Sequence, residues 1–451
     1  MISHRSLLTT HCLLFTVCCS LFTAHCSLIT VHASSVGSPP VRVPVGDEFT
    51  IGVYYAVPTN LEVAGSKPGK HTCGFGWDYA FMDMARHGVN FIVPSGTTEA
   101  KHWASIKHWG MKGFKHFGVL GDQHSYEYPG PGLWKPADLV AEIEELTGRW
   151  DGYLWNDEYV GDVILGHVMA DEPECGDGKT ADQRDFIRTW ADIYHQFNPS
   201  RVATINHCDP PWYDLHQKKA TCSIGATICV NSHRVVERVA EAKKIGHDGM
   251  TLVALPGSLG GWIAPKCENV NYYGFGPCND SVQEWLKDRT TYLDVYEEMI
   301  AAYAFGADGF TVFLYNYAAG YAVALVDTNG VSKGDGRWDG FGDAANDIRR
   351  AQGWPGVELL HEGKPVEDRG EYAAGEIQLT ARAVSDSGAI AKVIFGKSIN
   401  GGSDWESAED DMVPYEVKFQ TRAGEMVIFR AQAVDTGGRK SIYAANMIYV
   451  K

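Results

Sequence analysis

Two adjacent acidic residues, Asp171 and Glu172, end an apolar run in the segment VILGHVMADEPECGDG, residues 163–178. Two carboxyl groups this close do not both ionise readily, so we expect Asp171 to raise the pKa of Glu172 and keep it protonated. A protonated carboxyl group can act as a general acid. The alternative is structural, because Asp171 or Glu174 could cap the helix that follows.

Further polar and aromatic residues follow other apolar runs and are expected to share a cleft with this pair as substrate-binding residues. They are Tyr55, Asp122, His124, His207, Asp209, Trp212, Asn231, His233, Trp262, Tyr315 and Tyr317. Aromatic rings stack on the apolar faces of sugars, and carboxylate, amide and imidazole groups bind hydroxyls, so the set favours a carbohydrate substrate. A phosphate site would instead require cationic residues or a glycine nest. Each aromatic residue taken alone is more often packed in a core or a loop.

No metal or cofactor site is predicted. The histidines show no HxH or HExxH pattern, and no cysteines have the CxxC spacing of a zinc site. His167, inside the apolar run, is expected to be a buried structural histidine held by a hydrogen bond. A second acidic pair, Asp157 and Glu158, precedes the run and is expected in a solvated turn.

The elements that would position these residues alternate between apolar strands and amphipathic helices. Eight strand–helix pairs are predicted over residues 48–354, beginning with FTIGVYYAV and WDYAFMDMARHG and ending with GFTVFLYNY and GDAANDIRRAQGW. This alternation favours an α/β fold of the (β/α)8 barrel type, with the acidic pair ending the fourth strand. The first strand is not followed by the glycine-rich turn of a dinucleotide-binding sheet. In a barrel, strand ends converge on one face, which would bring the candidate residues together.

The hydrophobic pattern of the sequence differs on either side of the predicted barrel. Residues 355–451 show short segments of period-two alternation, which predict a small antiparallel β-sandwich. The tail FRAQAVDTGGRKS resembles the last hairpin of immunoglobulin-like modules, and a packing role is favoured over carbohydrate binding. Residues 1–33 have the pattern of a signal peptide, with a linker at 34–47, so we expect a secreted or periplasmic protein.

Composition narrows the range of partners. The formal charge of −17 and the absence of a basic stripe argue against nucleic acid and anionic membranes. No later run has the length of a membrane span. Of 11 cysteines, Cys267 and Cys278 are the best candidates for a disulfide. A monomer or a small homo-oligomer is expected.

The acidic pair carries two family resemblances. ADEP resembles the NEP of the clan A glycoside hydrolases, which implies that Glu172 is an acid/base. Those enzymes take a nucleophile from a glutamate that ends strand seven, whereas LVALPGS has no acid there. GHVMADE is also similar to the HxGGDE of glycoside hydrolase family 20, and DEP is similar to family 123. These imply that Glu172 protonates the leaving group while Asp171 orients a 2-acetamido group of the substrate, which acts as nucleophile.

The sequence therefore predicts a secreted glycoside hydrolase that cleaves an oligo- or polysaccharide, with Glu172 as general acid and Asp171 as its partner. The missing acid on strand seven favours the substrate-assisted route. Two alternatives stay open. One is a non-catalytic glycan-binding barrel, and the other is a retaining enzyme whose nucleophile comes from another strand, with Asp122, Asp209 and Glu268 as candidates.

Overall fold

The computed structural model describes residues 48–56, 75–94, 99–116, 132–151, 153–171, 181–198, 201–207, 224–230, 252–256, 292–313, 315, 325–326, 330–332, 336–399 and 405–451. For Tyr55, Asp171 and His207 it describes the backbone. The predicted leader, the linker and the proposed Cys267–Cys278 pair lie outside these residues.

Eight parallel strands close a barrel. They are β1 (Thr50–Ala56), β2 (Phe91–Pro94), β3 (Lys112–His116), β4 (Ile164–Asp171), β5 (Val202–His207), β6 (Ile224–Val230), β7 (Leu252–Pro256) and β8 (Gly309–Phe313). Each strand pairs with its neighbour in the sequence, and β8 closes the ring by pairing with β1. The strand positions agree with the prediction.

Six helices among the described residues accompany the strands. They are α1 (Phe75–Arg86), α2 (Ala100–His108), α3 (Pro136–Asp151), α4 (Ala181–Phe197), α5 (Tyr292–Ala304) and α6 (Arg337–Ala351). One helix of the eight predicted strand–helix pairs, the segment RVVERVAEAKKIG after β6, lies outside the part of the chain that the structure describes. No helix among the described residues has the length and apolar character needed to span a membrane.

The helices pack against the barrel through large buried side chains. Trp103 of α2, Trp338 and Phe341 of α6 and Tyr79 of α1 are each at most 1% exposed and belong to one apolar cluster with β1 and β8. Helices α5 and α6 approach especially closely at Gly340, where a Cβ atom would lie 2.4 Å from the carbonyl oxygen of Tyr292. A glycine is therefore required at this crossing.

The carboxyl-terminal part is a sandwich of two sheets, as predicted. Its strands are β9 (Gly356–His361), β10 (Lys364–Pro365), β11 (Gly370–Tyr372), β12 (Gly375–Val384), β13 (Ile390–Ile399), β14 (Trp405–Asp410), β15 (Tyr415–Thr421), β16 (Met426–Asp435) and β17 (Ala444–Val450). One sheet has the order β10-β9-β12-β15, and the other has the order β11-β17-β16-β13-β14. In β12 the buried residues Ile377, Leu379 and Ala381 alternate with less buried ones, as in a sheet covered on one side.

Strand β16 contributes to two cores at once. Val427 and Phe429 pack inside the sandwich, whereas Met426 and Ile428 belong to the apolar cluster of the barrel. Successive side chains of a strand point to opposite faces, so one face of β16 packs against the sandwich and the other against the barrel. The barrel and the sandwich fall within one compact unit.

A cationic side chain lies within this contact between barrel and sandwich. The Arg430 guanidinium stacks 3.9 Å from the ring centroid of Trp405 and lies 5.5 Å from that of Trp109, which belongs to the barrel. Its Nη1 also donates a hydrogen bond to His108 Nε2 at 3.0 Å. The charge is thus placed against aromatic faces and an imidazole acceptor.

Candidate active site

The ends of β4 and β5 lie side by side at the carboxyl edge of the barrel. Asp171 is the last residue of β4 and pairs in register with Asn206 of β5. His207, the last residue of β5, pairs in turn with Ile228 of β6. Because all barrel strands are parallel, Tyr55, near the end of β1, belongs to this same edge. The structure therefore brings Asp171, His207 and Tyr55 to one end of the barrel by their backbone positions.

Strand β4 carries one extra residue relative to β5 just before this edge. Val168 pairs with Thr204, but Ala170 pairs with the next residue of β5, Ile205. Such an irregularity is a β-bulge, which shifts the positions of all later residues on the strand. Asp171 thereby reaches the position opposite Asn206. Bulges are common next to active sites because they redirect side chains.

A buried hydrogen bond joins β4 to α4. His167 is fully buried, and its Nδ1 lies 2.6 Å from the hydroxyl of Tyr194 in α4. Tyr194 in turn stacks on Trp190, with ring centroids 5.2 Å apart. Burial raises the pKa of Tyr194, so its hydroxyl stays neutral. The prediction that His167 is a structural histidine is confirmed, and its ring anchors β4 to α4.

The starts of α3 and α4 are tied together near the same edge. Trp134 Nε1, just before α3, donates a hydrogen bond to Asp182 of α4 at 3.0 Å. The Trp134 ring also packs edge-on against Phe186, with centroids 5.3 Å apart. In a strand–helix barrel the helices begin where the strands end. These contacts therefore join the amino-terminal ends of two neighbouring helices at the carboxyl edge of the barrel.

Tyr315 does not take the position that the sequence suggested. It is fully buried, and its hydroxyl donates a hydrogen bond to Asp83 of α1 at 2.6 Å. The indole Nε1 of Trp338 donates to the same carboxylate oxygen at 3.0 Å. A hydroxyl enclosed in this way is not available to a substrate, so the assignment of Tyr315 to substrate binding is corrected to a structural role.

The Asp83 carboxylate is the centre of a buried polar network. It is 1% exposed and pairs with Arg86, whose Nη2 lies 2.7 Å from Oδ1. Burial raises the pKa of Asp83, but the positive charge of Arg86 lowers it. The hydrogen bonds from Tyr315 and Trp338 act in the same direction, so the pKa lies below its usual value. Asp83 is therefore ionised at neutral pH.

The same network reaches the sandwich. Arg86 Nη1 lies 3.1 Å from Asp368, which precedes β11, and 3.3 Å from the side-chain oxygen of Asn446 in β17. The hydroxyl of Tyr79 also donates to Asp368, at 2.9 Å. Our sequence analysis missed this network. An acid on the apolar face of α1, three residues before an arginine, was the available signal.

The remaining predicted site residues lie outside the described residues, and their roles stay predictions. They are Glu172, Asp122, His124, Asp209, Trp212, Asn231, His233, Trp262 and Tyr317. Glu172 is the residue that follows Asp171 in the sequence. Among the described residues, no group of three histidine, cysteine, aspartate or glutamate side chains could hold a metal ion. Of the second acidic pair, Asp157 lies in the tight turn of a short hairpin and is exposed, as expected, whereas Glu158 begins the second strand of that hairpin, is partly exposed and pairs with Lys107 at 3.3 Å.

No protein-family model matches this sequence, and comparison with curated proteins gives no match. Among solved structures, an FMN-binding β-glucuronidase from Facaelibacterium prausnitzii L2-6 is similar, with 11% identity, 92% of this chain and 58% of that chain covered, and a TM-score of 0.46. A β-glucuronidase from Bacteroides uniformis shows 11% identity, 90% and 46% coverage and a TM-score of 0.43. The chain thus spans about half the length of these enzymes. An engineered protein is also similar, with 12% identity, 91% of this chain and 94% of that chain covered, and a TM-score of 0.40.

Proposed function

We propose that this protein is an exported glycoside hydrolase with a (β/α)8 barrel, an immunoglobulin-like carboxyl-terminal module and an active site at the carboxyl edge of the barrel. Glu172 is the general acid and Asp171 its partner. The observation that carries the proposal is the position of Asp171, which ends β4 at that edge in register with Asn206. Active sites of such barrels are built at this edge, from residues that end or follow the strands.

The chemistry that we propose uses one protein acid and the substrate itself. Glu172 donates its proton to the glycosidic oxygen as the bond from that oxygen to the anomeric carbon breaks. The carbonyl oxygen of a 2-acetamido group attacks the anomeric carbon, while Asp171 accepts a hydrogen bond from the amide nitrogen and stabilises its developing charge. Water then opens the cyclic intermediate, and Glu172 takes back a proton.

A comparison of substrates tests the role of the acetamido group. The protein should hydrolyse aryl 2-acetamido-2-deoxy glycosides and show little or no activity on the corresponding plain aryl glycosides. Equal activity on both series would contradict the substrate-assisted route and favour a protein nucleophile. Asp122, Asp209 and Glu268 would then be replaced one at a time, and trapping of a covalent glycosyl–enzyme adduct would be measured by mass spectrometry.

Substitution of the acid tests the catalytic assignment. Glu172→Gln should lower kcat about 10²–10⁴-fold on substrates with poor leaving groups, because general acid catalysis is lost. On a dinitrophenyl glycoside, whose leaving group departs without a proton, the loss should be far smaller. Glu174→Gln is the matched control and should retain activity. An unchanged rate in Glu172→Gln would contradict the assignment.

The same variant separates an enzyme from a glycan-binding barrel. If the parent protein binds oligosaccharides without cleaving any, and Glu172→Gln keeps that affinity, the non-catalytic alternative is correct. Calorimetric titration of both proteins with one oligosaccharide panel, followed by chromatography of the products, distinguishes the two outcomes.

A further inference from the structure

A cavity of about 500 Å³ lies outside the barrel, between α5, α6 and the sandwich. Among its walls are two tyrosines of α5, polar side chains of α6, and residues of β9 and β12. Ligand sites typically have volumes of about 300–1,000 Å³ and lie at contacts between domains. The cavity is distinct from the carboxyl edge of the barrel, and no part of the proposed hydrolysis uses it.

Two parallel tyrosine rings form one wall of this cavity. Tyr292 and Tyr296 lie one helical turn apart on α5, with ring centroids 5.9 Å apart and planes within 10° of parallel. Their hydroxyls donate hydrogen bonds to Asp343 at 2.7 Å and to Asp347 at 2.6 Å on α6. Each ring is therefore held at both ends, by its own helix and by the carboxylate opposite. We refer to this pair of rings as the tyrosine wall.

The pairing with carboxylates keeps the tyrosines neutral. The hydrogen bond to Asp347 raises the pKa of Tyr296 to about 12, and the bond to Asp343 raises the pKa of Tyr292. The wall thus presents uncharged aromatic surface at physiological pH. Because little side-chain motion is left to freeze, a ligand that packs on these rings loses little affinity to ordering them.

The charges around the cavity are largely paired. The cavity is lined by three carboxylates, from Asp343, Asp347 and Glu358, and by three guanidinium groups, from Arg349, Arg350 and Arg382, and Arg349 pairs with Glu48. Several are already paired, since Arg382 bonds directly to Glu358 and Arg350 lies 4.0 Å from Asp347. A site of this kind has many hydrogen-bonding groups and no excess of positive charge, so it does not favour an anion.

We propose that this cavity binds a neutral oligosaccharide, with the tyrosine wall packing on sugar rings and the paired charges binding their hydroxyls. Aromatic surface next to charged hydrogen-bonding groups suits a ligand that has both apolar ring faces and many hydroxyls. The inference does not depend on the proposed hydrolase activity, because a protein that only binds glycans could use the same cavity.

Calorimetric titration of the full-length protein carrying Glu172→Gln tests the proposal without turnover. The probes are cellohexaose, mannohexaose and N-acetylchitohexaose, with hexagalacturonate as the charged comparison. We expect at least one neutral hexasaccharide to bind more tightly than hexagalacturonate. Adding Tyr292→Ala and Tyr296→Ala together should weaken that binding about tenfold or more, as expected when two aromatic contacts are lost.

Two control variants keep the result interpretable. Leu293→Ala removes an exposed residue of α5 that does not line the cavity and should leave binding unchanged. Tyr292→Phe with Tyr296→Phe keeps the rings and the fold while removing the hydroxyls, and should keep most of the affinity. If the double alanine variant does not fold, the single variants Tyr292→Ala and Tyr296→Ala should each weaken binding in its place.

The proposal is overturned if no neutral hexasaccharide binds, if hexagalacturonate binds more tightly than every neutral hexasaccharide, or if the variants with alanine in place of Tyr292 and Tyr296 bind as well as the Glu172→Gln parent. Binding that survives the loss of the wall would belong to the barrel mouth. Hydrolysis of aryl glycosides by the wild-type chain with an intact wall, and by the double alanine variant, is measured separately. Failure of one proposal is thereby distinguished from failure of the other.

Discussion

Replacing Tyr315 with phenylalanine removes one hydroxyl from the buried network around Asp83 and leaves the ring in place. The lost hydrogen bond is 2.6 Å long and ends on an ionised, fully enclosed carboxylate. Hydrogen bonds to charged groups contribute about 1.5–3 kcal/mol. Asp83 keeps Arg86 and Trp338 as partners, so the carboxylate is not left unpaired. We therefore expect a loss near the lower end of that range, about 2 kcal/mol.

Urea unfolding followed by tryptophan fluorescence measures this loss. Tyr194→Phe is a matched control, because it removes an equally buried hydroxyl whose partner is the imidazole ring of His167 and not a carboxylate. That variant should lose only about 1 kcal/mol. In Tyr315→Phe, kcat/KM on a cleaved glycoside should stay within about twofold of the parent, because the Tyr315 hydroxyl is buried and cannot contact the substrate.

The pH dependence gives a second test of the same hydrogen bond. The pKa of Asp83 is lowered in the folded protein, so its contribution to stability is complete above the ordinary value of 3.8 and is lost as the pH falls through the folded value. The difference between parent and Tyr315→Phe should therefore be constant near neutral pH and shrink in acid. A tenfold loss of kcat/KM with unchanged stability would refute this account and restore Tyr315 as a substrate contact.

Two further changes address the contacts that hold the elements together. Arg430→Lys should lower the urea midpoint and cost about 1–2 kcal/mol, because an ammonium group cannot stack flat on Trp405 as the guanidinium does; an unchanged midpoint would mean that the stacking contributes nothing. Gly340→Ala should force α5 and α6 apart, since the new Cβ would lie 2.4 Å from the carbonyl oxygen of Tyr292; we expect a loss of about 1–3 kcal/mol and weaker oligosaccharide binding, and a crystal structure with unshifted helices would contradict this.

Much of the fold could be predicted from periodicity. The runs FIVP and GFTVF are largely apolar because both faces of a barrel strand are covered, and the structure has strands at both. Alternation in GEIQLTARAV likewise marks a strand that is covered on one side, and β12 has its buried residues at every second position. The local pattern of apolar residues was enough to predict these strands, because the pattern depends only on which faces of each strand are buried.

The sequence was less informative about polar residues that meet across the fold. Tyr315 follows the end of β8, where a substrate contact is a reasonable expectation, yet its hydroxyl bonds to Asp83, which is 232 residues away in the chain. The tyrosine wall likewise needs α5 and α6 to run side by side, so that residues 51 apart face each other. Such partnerships depend on tertiary contacts that no local pattern encodes. The bulge before Asp171 is of the same kind, because it is defined by the pairing with β5.

Strand β16, with one face in each of two cores, has a consequence for the history of the chain. Modules that recombine between proteins usually meet through polar surfaces that tolerate separation. Here Met426 and Ile428 enter the apolar cluster of the barrel, and Arg430 lies against Trp109. A chain that lost the sandwich would expose Trp109 and its apolar neighbours to water and would need polar residues in their place. The two parts are therefore expected to be inherited together, with correlated changes across this shared face.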